Sequence, residues 1–292
     1  MLLFYQVLDG LVSGSIYAAL ALAIVLAYRA TGVINFAQGQ MAVFSAYLAW
    51  SLTTIGLPVW LAIAGALLLS VVVGAFLERV VMRRFESAEP LVGIVVSIGL
   101  FISVNGLVSL IWGTSLTQFP AVFPAGSIEL GDVGITYVAL GTVVVLLLVI
   151  AALQLLFMRT RLGLGFRAVA VNPESSSLSG LPVGLLLMTG WGLAAALGAL
   201  AGTLVAPALY LQPGMMDMVL IYALAAAVLG GLDSPFGAVV AAWLIGVVEN
   251  LAGTFIPAIG NDLKIAVPLV LMCLVLFFRP QGLFGRVEVE RV

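Results

Sequence analysis

A carboxylate and an amide lie side by side inside a long apolar stretch, where polar groups are costly. Glu249 and Asn250 interrupt the run 236–256, and an ionised acid near the middle of a membrane helix costs about 2.5 kcal/mol or more. Such a side chain faces a cavity, has a partner or is protonated. Lys264, at the start of the next apolar run, is a candidate partner. Glu249 therefore belongs either to an interhelical pair or to a transport pathway, and Asn105 is a weaker example of the same kind.

Uncharged polar side chains open another apolar run, 34–55. Asn35, Gln38, Ala42 and Ser45 are spaced to share one face of a predicted helix. One interpretation is hydrogen bonding to a neighbouring helix, at about 1 kcal/mol per bond. The other is a strip that faces a pore, and the spacing alone leaves both open.

The polar segment 159–182 contains the signals of a short helix. Asn172 is a good N-cap, Pro173 suits the first helical position, and Glu174 favours the positive end of a helix. A glycine and a proline then provide a stop signal. These signals predict a helix of about two turns, 173–179, and a helix specified at both ends inside a connection indicates a docking element.

The chain lacks the residues that several kinds of chemistry require. The chain has no histidine and one cysteine, Cys273, so a histidine base, a histidine or cysteine metal cluster and an intramolecular disulfide are not expected. The phosphate-binding pattern G-x-x-x-x-G-K-[ST] does not occur. A net charge of −2 without a long basic stretch gives no support to nucleic-acid binding. We therefore expect neither an enzyme nor a cofactor on this chain, and any ATP used would be bound by a partner.

The elements that must position these residues are membrane helices. Hydrophobic residues form 63% and charged residues 8% of the 292 positions, whereas a soluble domain has about 45–50% and about 25%. The sequence predicts one all-α transmembrane bundle, 1–292, with eight or nine crossings of about 20 residues each. The candidate spans are 8–28, 34–55, 58–80, 91–112, 136–158, 183–206, 216–232, 236–256 and 264–279. The weakest are the second and the seventh, and the seventh is short enough to be re-entrant.

The cations indicate an orientation. When nine spans alternate, all the arginines fall on one side, and these are Arg29, Arg79, Arg83, Arg84, Arg159, Arg161, Arg167, Arg279, Arg286 and Arg291. Lys264 falls on the other side. The positive-inside rule makes the arginine side cytoplasmic, so we expect the N-terminus outside and the C-terminus inside.

Small residues recur at helix-packing spacing in two spans. The first span contains Gly10, Ser13, Gly14, Ala18 and Ala21, and the sixth repeats Ala194, Gly198 and Gly202. Such faces let helix backbones approach closely in lipid. They predict close packing, either within the chain or against a second chain.

Several motifs together resemble a known family. They are the runs 10–22, 32–39, 230–237 and 279–285, and the inner segment with Arg167-Ala168, Asn172-Pro173-Glu174 and Gly180. In these motifs the chain is similar to the H-type permeases of branched-chain amino-acid (Liv) ABC importers. The resemblance spans nearly the whole chain.

The resemblance implies a partnership in the bacterial cytoplasmic membrane. A second related permease would form the pore with this chain, and two cytoplasmic ATPases and an extracytoplasmic binding protein would complete the importer. The short inner helix would then be the coupling helix, and the residues expected to contact an ATPase are Arg167, Asn172, Pro173, Glu174 and Ser175. The pathway candidates are Asn35, Gln38, Asn105, Glu249 and Asn250.

Three alternatives remain at the sequence level. The family that the chain resembles includes permeases for urea and other small amides or amino acids, and this chain has Gln38 and Gln40 where the family often has His or Glu. A proton- or cation-coupled secondary transporter would use Glu249 as its coupling carboxylate. A passive channel is the third, although neither paired Asn-Pro-Ala half-helices nor pore histidines occur.

Overall fold

The computed structural model describes residues 2–85, 88–130, 133–257, 259–260 and 263–285. Arg286 and Arg291, which the orientation argument used, lie outside the described residues. The described helices are α1 Leu2–Thr31, α2 Gln38–Thr54, α3 Val59–Val80, α4 Pro90–Trp112, α5 Tyr137–Arg159, α6 Arg161–Val171, α7 Pro173–Leu178, α8 Val183–Leu209, α9 Asp217–Gly230, α10 Pro235–Phe255 and α11 Ala266–Phe278. A 3-10 turn, Met82–Phe85, follows α3, and the strands β1 Ser127–Leu130 and β2 Val133–Thr136 precede α5.

Each of the nine predicted spans has a helix in the structure, but the helices differ in length. In the described part of the chain, α1, α3, α4, α5, α8 and α10 are long and apolar enough to cross a membrane. The helix α2 has 17 residues, α9 has 14 and α11 has 13. At 1.5 Å per residue, a helix of about 14 residues is some 9 Å shorter than the hydrocarbon core. The all-α membrane bundle is confirmed, and the count of eight or nine crossings stays a prediction.

Two local elements differ from the sequence prediction. The outer connection before α5 contains an antiparallel hairpin, in which Ser127 pairs with Thr136. The inner segment contains α6 before the predicted short helix. This helix forms because Thr160 caps it, with its hydroxyl accepting from the Gly163 amide at 3.1 Å.

The start of α2 also differs from the prediction. Residues 32–37 are not helical, and Gly32 ends α1 with a φ of +71°. The segment lies along α4, where the Ser97 hydroxyl accepts from the Phe36 amide at 3.4 Å. The expectation that Asn35 lies on a helical face with Gln38 is therefore wrong, because the helix begins only at Gln38.

The core is built where small residues let helices approach. The most extensive contact joins α1 to α10, and a Cβ added to Gly14 would lie 2.7 Å from the Ala242 carbonyl oxygen. On α8, a Cβ at Gly198 would lie 2.6 Å from Gln38 Nε2, so α2 packs closely on α8. The predicted small-residue faces therefore pack within this chain.

Arginines at the ends of several elements lie at one end of the bundle. The Arg29 guanidinium lies 5.0 Å from the centre of the Phe157 ring, which joins the ends of α1 and α5. Arg83 pairs with Glu78 at 2.8 Å and donates to the Gly184 carbonyl at 2.5 Å. These contacts join the end of α1 to the end of α5, and the end of α3 to the start of α8.

Candidate pathway site and docking segment

Glu249 is held between two tyrosines in the interior of the bundle. Its side chain is buried, and the Tyr17 hydroxyl donates to Oε2 at 3.1 Å. The Tyr17 ring stacks on Tyr222 with the centroids 4.7 Å apart. The cluster joins α1, α9 and α10, so the interhelical contact predicted for Glu249 is present, although its donor is a tyrosine.

The other polar residues predicted near Glu249 lie further out along α10. The Lys264 side chain packs over Gly253, about one helical turn from Glu249. Asn250 donates to the Gln6 carbonyl at 3.4 Å and so ties α10 to the beginning of α1.

Asn35 and Gln38 form a second buried cluster, at the start of α2. Asn35 Nδ2 donates to Gln38 Oε1 at 3.1 Å, and Asn35 Oδ1 accepts from the Ala37 amide at 3.0 Å. Gln38 Nε2 in turn donates to the Ala194 carbonyl at 2.8 Å. Both side chains are buried, at 1% and 0% exposure. They therefore satisfy each other and α8 rather than an open cavity.

Two residues after Gln38, the amide of Gln40 contacts a carboxylate on α9. Gln40 Nε2 donates to Asp217 Oδ1 at 2.9 Å. Gln40 is fully buried, and its Oε1 has no hydrogen-bond partner among the described residues. An unsatisfied buried acceptor costs about 1–3 kcal/mol. The amide keeps this orientation because the opposite one would turn its oxygen towards the carboxylate.

Asp217 is the first residue of α9 and is exposed on the surface of this chain. It is five residues before Tyr222, which stacks on Tyr17 near the middle of the 30-residue α1. Five residues of helix correspond to about 7.5 Å. A carboxylate at such a depth costs about 2.5–3.5 kcal/mol against lipid. Its surroundings are therefore expected to be a water-filled pathway or another chain.

Asn105 supports the segment that leads down to Asp217. Its Nδ2 donates to the Pro213 carbonyl at 3.2 Å, which links α4 to the connection before α9. Higher in this connection, Leu211 pairs with Thr117 through backbone hydrogen bonds of 2.8 and 3.0 Å.

The predicted short helix is present as α7, and it lies on the surface. The Asn172 side chain accepts from the Ser175 amide at 2.8 Å, and Gly180 follows with a φ of +81°. Glu174 is exposed in the first turn, and Leu178 at the other end is 90% exposed. The helix α7 is thus capped at its start, and most of its side chains are exposed.

Arg167 lies on α6, which connects α7 to the bundle. Its side chain is exposed, and its Nε donates to the Gly163 carbonyl within the same helix at 3.4 Å. On the opposite face, Phe166 packs against Phe157 of α5 with the ring centroids 5.7 Å apart. The segment that carries α7 is therefore fixed to the bundle on one side and open on the other.

Sequence reasoning missed four residues of these clusters: Tyr17, Gln40, Tyr222 and Asp217. The two tyrosines are common in apolar helices, and Gln40 was named only as a departure from the family pattern. Asp217 had a signal, because it is an acid at the start of the seventh predicted span, one of the two weakest. The alternation of spans puts the start of this span at the outer surface, where a carboxylate is not unusual.

An apolar helical bundle with polar clusters at mid-depth and an exposed capped helix at one end is typical of multi-pass membrane transport proteins. The family model described as "Branched-chain amino acid transport system / permease component" matches residues 6–276. The chain belongs to this family and is a permease component.

Relatives match over almost the whole chain. The chain is 31% identical to the "High-affinity branched-chain amino acid transport system permease protein BraD" of Pseudomonas aeruginosa, covering 98% of this chain and 97% of that protein. It is 30% identical to LivH of Salmonella typhimurium, which carries the same description, with the same coverage. A protein of Methanocaldococcus jannaschii, "Probable branched-chain amino acid transport permease protein LivH", is 27% identical over 96% of this chain and 92% of that protein.

Proposed function

We propose that this chain is a permease subunit of an ATP-driven importer for branched-chain amino acids and that it forms half of the translocation pathway. The observation that carries the proposal is α7, a helix with Asn172 as its N-cap whose side chains are mostly exposed on the surface of this chain. The substrate class rests on what the relatives are named for. Family membership favours this function over a secondary transporter or a passive channel.

The proposed importer has four kinds of subunit. A second, related permease pairs with this chain, two ATPases bind on the cytoplasmic side, and an extracytoplasmic binding protein delivers the substrate. The ATPases bind the ATP, because this sequence lacks a phosphate-binding loop. The complex lies in the bacterial cytoplasmic membrane, with the arginine-rich end of this chain and its C-terminus in the cytoplasm.

The proposed ATPase contact is the surface of α6 and α7. It comprises Arg167, Asn172, Pro173, Glu174 and Ser175. Two large apolar side chains flank α7, because Val171 is 86% and Leu178 is 90% exposed. An apolar side chain next to charged ones suits a groove on a partner protein, where a few anchors provide most of the binding energy. Closure of the ATPases would then move α7 and, through α6, the inner end of the bundle.

The five predicted pathway residues have protein partners, and we propose that they hold the wall of the pathway. Asn35 and Gln38 fix the start of α2, and Asn105 fixes the connection before α9. Glu249 and Asn250 fix α10 against α1. Their substitution would then change transport by moving these helices.

Coupling is tested by one charge reversal with a matched control. We expect Glu174→Arg, or deletion of 173–179, to abolish copurification of the ATPases or to uncouple ATP hydrolysis from leucine uptake in proteoliposomes. Glu89→Arg is the control, since Glu89 is an exposed acid at the same end of the bundle, before α4. Normal uptake and copurification in both Glu174 variants would contradict the role of α7.

The substrate class is tested on the same proteoliposomes by competition. Unlabelled leucine, isoleucine and valine should suppress ATP-dependent uptake of labelled leucine, and urea should not. Uptake of urea without uptake of leucine would point to the amide branch of the family instead.

A further inference from the structure

We propose that Asp217, held in place by Gln40, binds the ammonium group of the amino-acid substrate as the substrate passes the middle of the membrane. The inference rests on the proposed function, because it concerns the substrate of that importer. It adds a binding site inside the permease, where the polar contact on this chain is a single exposed carboxylate beside a buried amide.

The position of Asp217 requires an occupant with positive charge or hydrogen-bond donors. The carboxylate is exposed on this chain, about 7.5 Å along α9 from the Tyr17–Tyr222 stack, where lipid would be an unfavourable neighbour. No lysine or arginine of the described part of the chain forms an ion pair with it. Among the described residues, its charge is met by the Gln40 amide and by the positive end of α9, and no cation pairs with it.

The geometry leaves one carboxylate oxygen available. Gln40 Nε2 bonds to Oδ1 at 2.9 Å and fixes the carboxylate. The other oxygen, Oδ2, lies next to Gly214, where an added Cβ would be 3.1 Å away. Because Gly214 is exposed and has no side chain, a ligand can approach Oδ2 from the surface.

The neighbouring amide holds the carboxylate and adds a buried acceptor beside it. Gln40 Oε1 is buried without a partner among the described residues, on the same amide that contacts Asp217. A primary ammonium group has three donors, so it can bond to Oδ2 while the Gln40 amide keeps its bond to Oδ1. A carboxylate ligand would meet two acceptors and be repelled. The chemistry of the site therefore selects the ammonium end of an amino acid.

The test uses the complete importer, reconstituted in proteoliposomes with the leucine-loaded binding protein. We expect Asp217→Asn to lower the maximal rate of leucine uptake about tenfold to hundredfold, the range for loss of one hydrogen bond to a charged group. The KM for the loaded binding protein should stay unchanged, since that protein docks far from Asp217. Gly214→Ala should give a smaller decrease, because its Cβ partly covers Oδ2. Asp233→Asn is the matched control, since Asp233 is an exposed aspartate beyond the opposite end of α9.

A ligand that has only the ammonium group makes the test specific. We expect 3-methylbutylamine to inhibit uptake by the wild-type importer and to lose this effect in Asp217→Asn. The acid 4-methylpentanoate, which lacks the ammonium group, should inhibit neither. Equal inhibition of both importers by the amine would overturn the proposal.

Two further outcomes would also overturn it. Normal leucine uptake by Asp217→Asn would mean that no substrate bond forms there. Loss of the second permease from purified Asp217→Asn complexes would mean that Asp217 pairs with a cation of that subunit. Failure of the proposed function gives a different result, because the wild-type importer itself would then take up no leucine or would transport urea, which has no ammonium group.

Discussion

The helices α1 and α5 have similar hydropathy and opposite surroundings. The most apolar window of α1 has a mean hydropathy of 2.1 and is 72% buried, whereas that of α5 has a mean hydropathy of 2.8 and is 17% buried. The more apolar helix is thus the more exposed one. In a membrane the solvent is itself apolar, so hydropathy does not distinguish a central helix from a peripheral one.

The size of the side chains separates the two regions. In α1, Gly10 and Gly14 let the backbone of α10 approach closely, with an added Cβ at Gly10 only 2.6 Å from Val247 Cα. In α5, the aliphatic run Val143–Ile150 contains no glycine, and Leu148 is 64% exposed. The central region is therefore held by close backbone contact, and the peripheral region is free to pack on lipid or on another protein.

The largest expected effect comes from filling the central contact. Gly14→Leu should lower the free energy of unfolding by about 3 kcal/mol or more, because the added atoms meet the backbone of α10, which cannot move aside like a flexible side chain. The measurement is the thermal midpoint of the detergent-solubilised protein, followed by fluorescence-detected size exclusion. Gly106→Leu on the peripheral α4 is the control, since an added Cβ there meets nothing within 4 Å. Equal destabilisation by both variants would refute the distinction between the two regions.

A smaller effect is expected from the buried carboxylate that joins the central helices. Tyr17→Phe removes the hydroxyl that donates to Glu249, and we expect a loss of about 1.5–3 kcal/mol, the range for a hydrogen bond to a charged group. The same thermal measurement applies. Tyr137→Phe, at the exposed start of α5, should leave the midpoint unchanged. An unchanged midpoint for Tyr17→Phe would mean that Glu249 contributes nothing to holding α1 against α10.

The sequence was sufficient for features that depend on neighbouring residues. Asn172 and Pro173 specify the start of α7 locally, and the glycines at positions 10, 14, 198 and 202 mark close packing by their spacing alone. Contacts between distant segments could not be predicted in this way. The bond between Gln40 and Asp217 joins residues 177 positions apart, and their meeting depends on where α2 and α9 begin within the bundle.

The start of α2 illustrates why the depth of a residue in the membrane is the hardest property to predict from the sequence. The sequence prediction lets every helix cross the full thickness of the membrane. It therefore puts the polar residues 35–45 on one helix that starts at the inner surface. In the structure the non-helical residues 32–37 occupy the first part of that path. The hydropathy of these residues is the same whether they are helical or not, so it cannot distinguish the two conformations.

The smallest expected effect distinguishes the two interpretations of Gln38. Gln38→Met keeps the volume but loses two bonds, to the Ala194 carbonyl and from Asn35. At about 0.6 kcal/mol per bond, we expect a loss of about 1 kcal/mol in stability and leucine uptake close to that of the wild type. Ser103→Ala is the peripheral control, because that exposed hydroxyl bonds only within α4, to Gly99, and it should change neither quantity. If Gln38→Met lowered uptake more than tenfold at unchanged stability, Gln38 would contact the substrate and not only α8. The central region would then contain part of the pathway itself, and its close packing would have to open during each transport cycle.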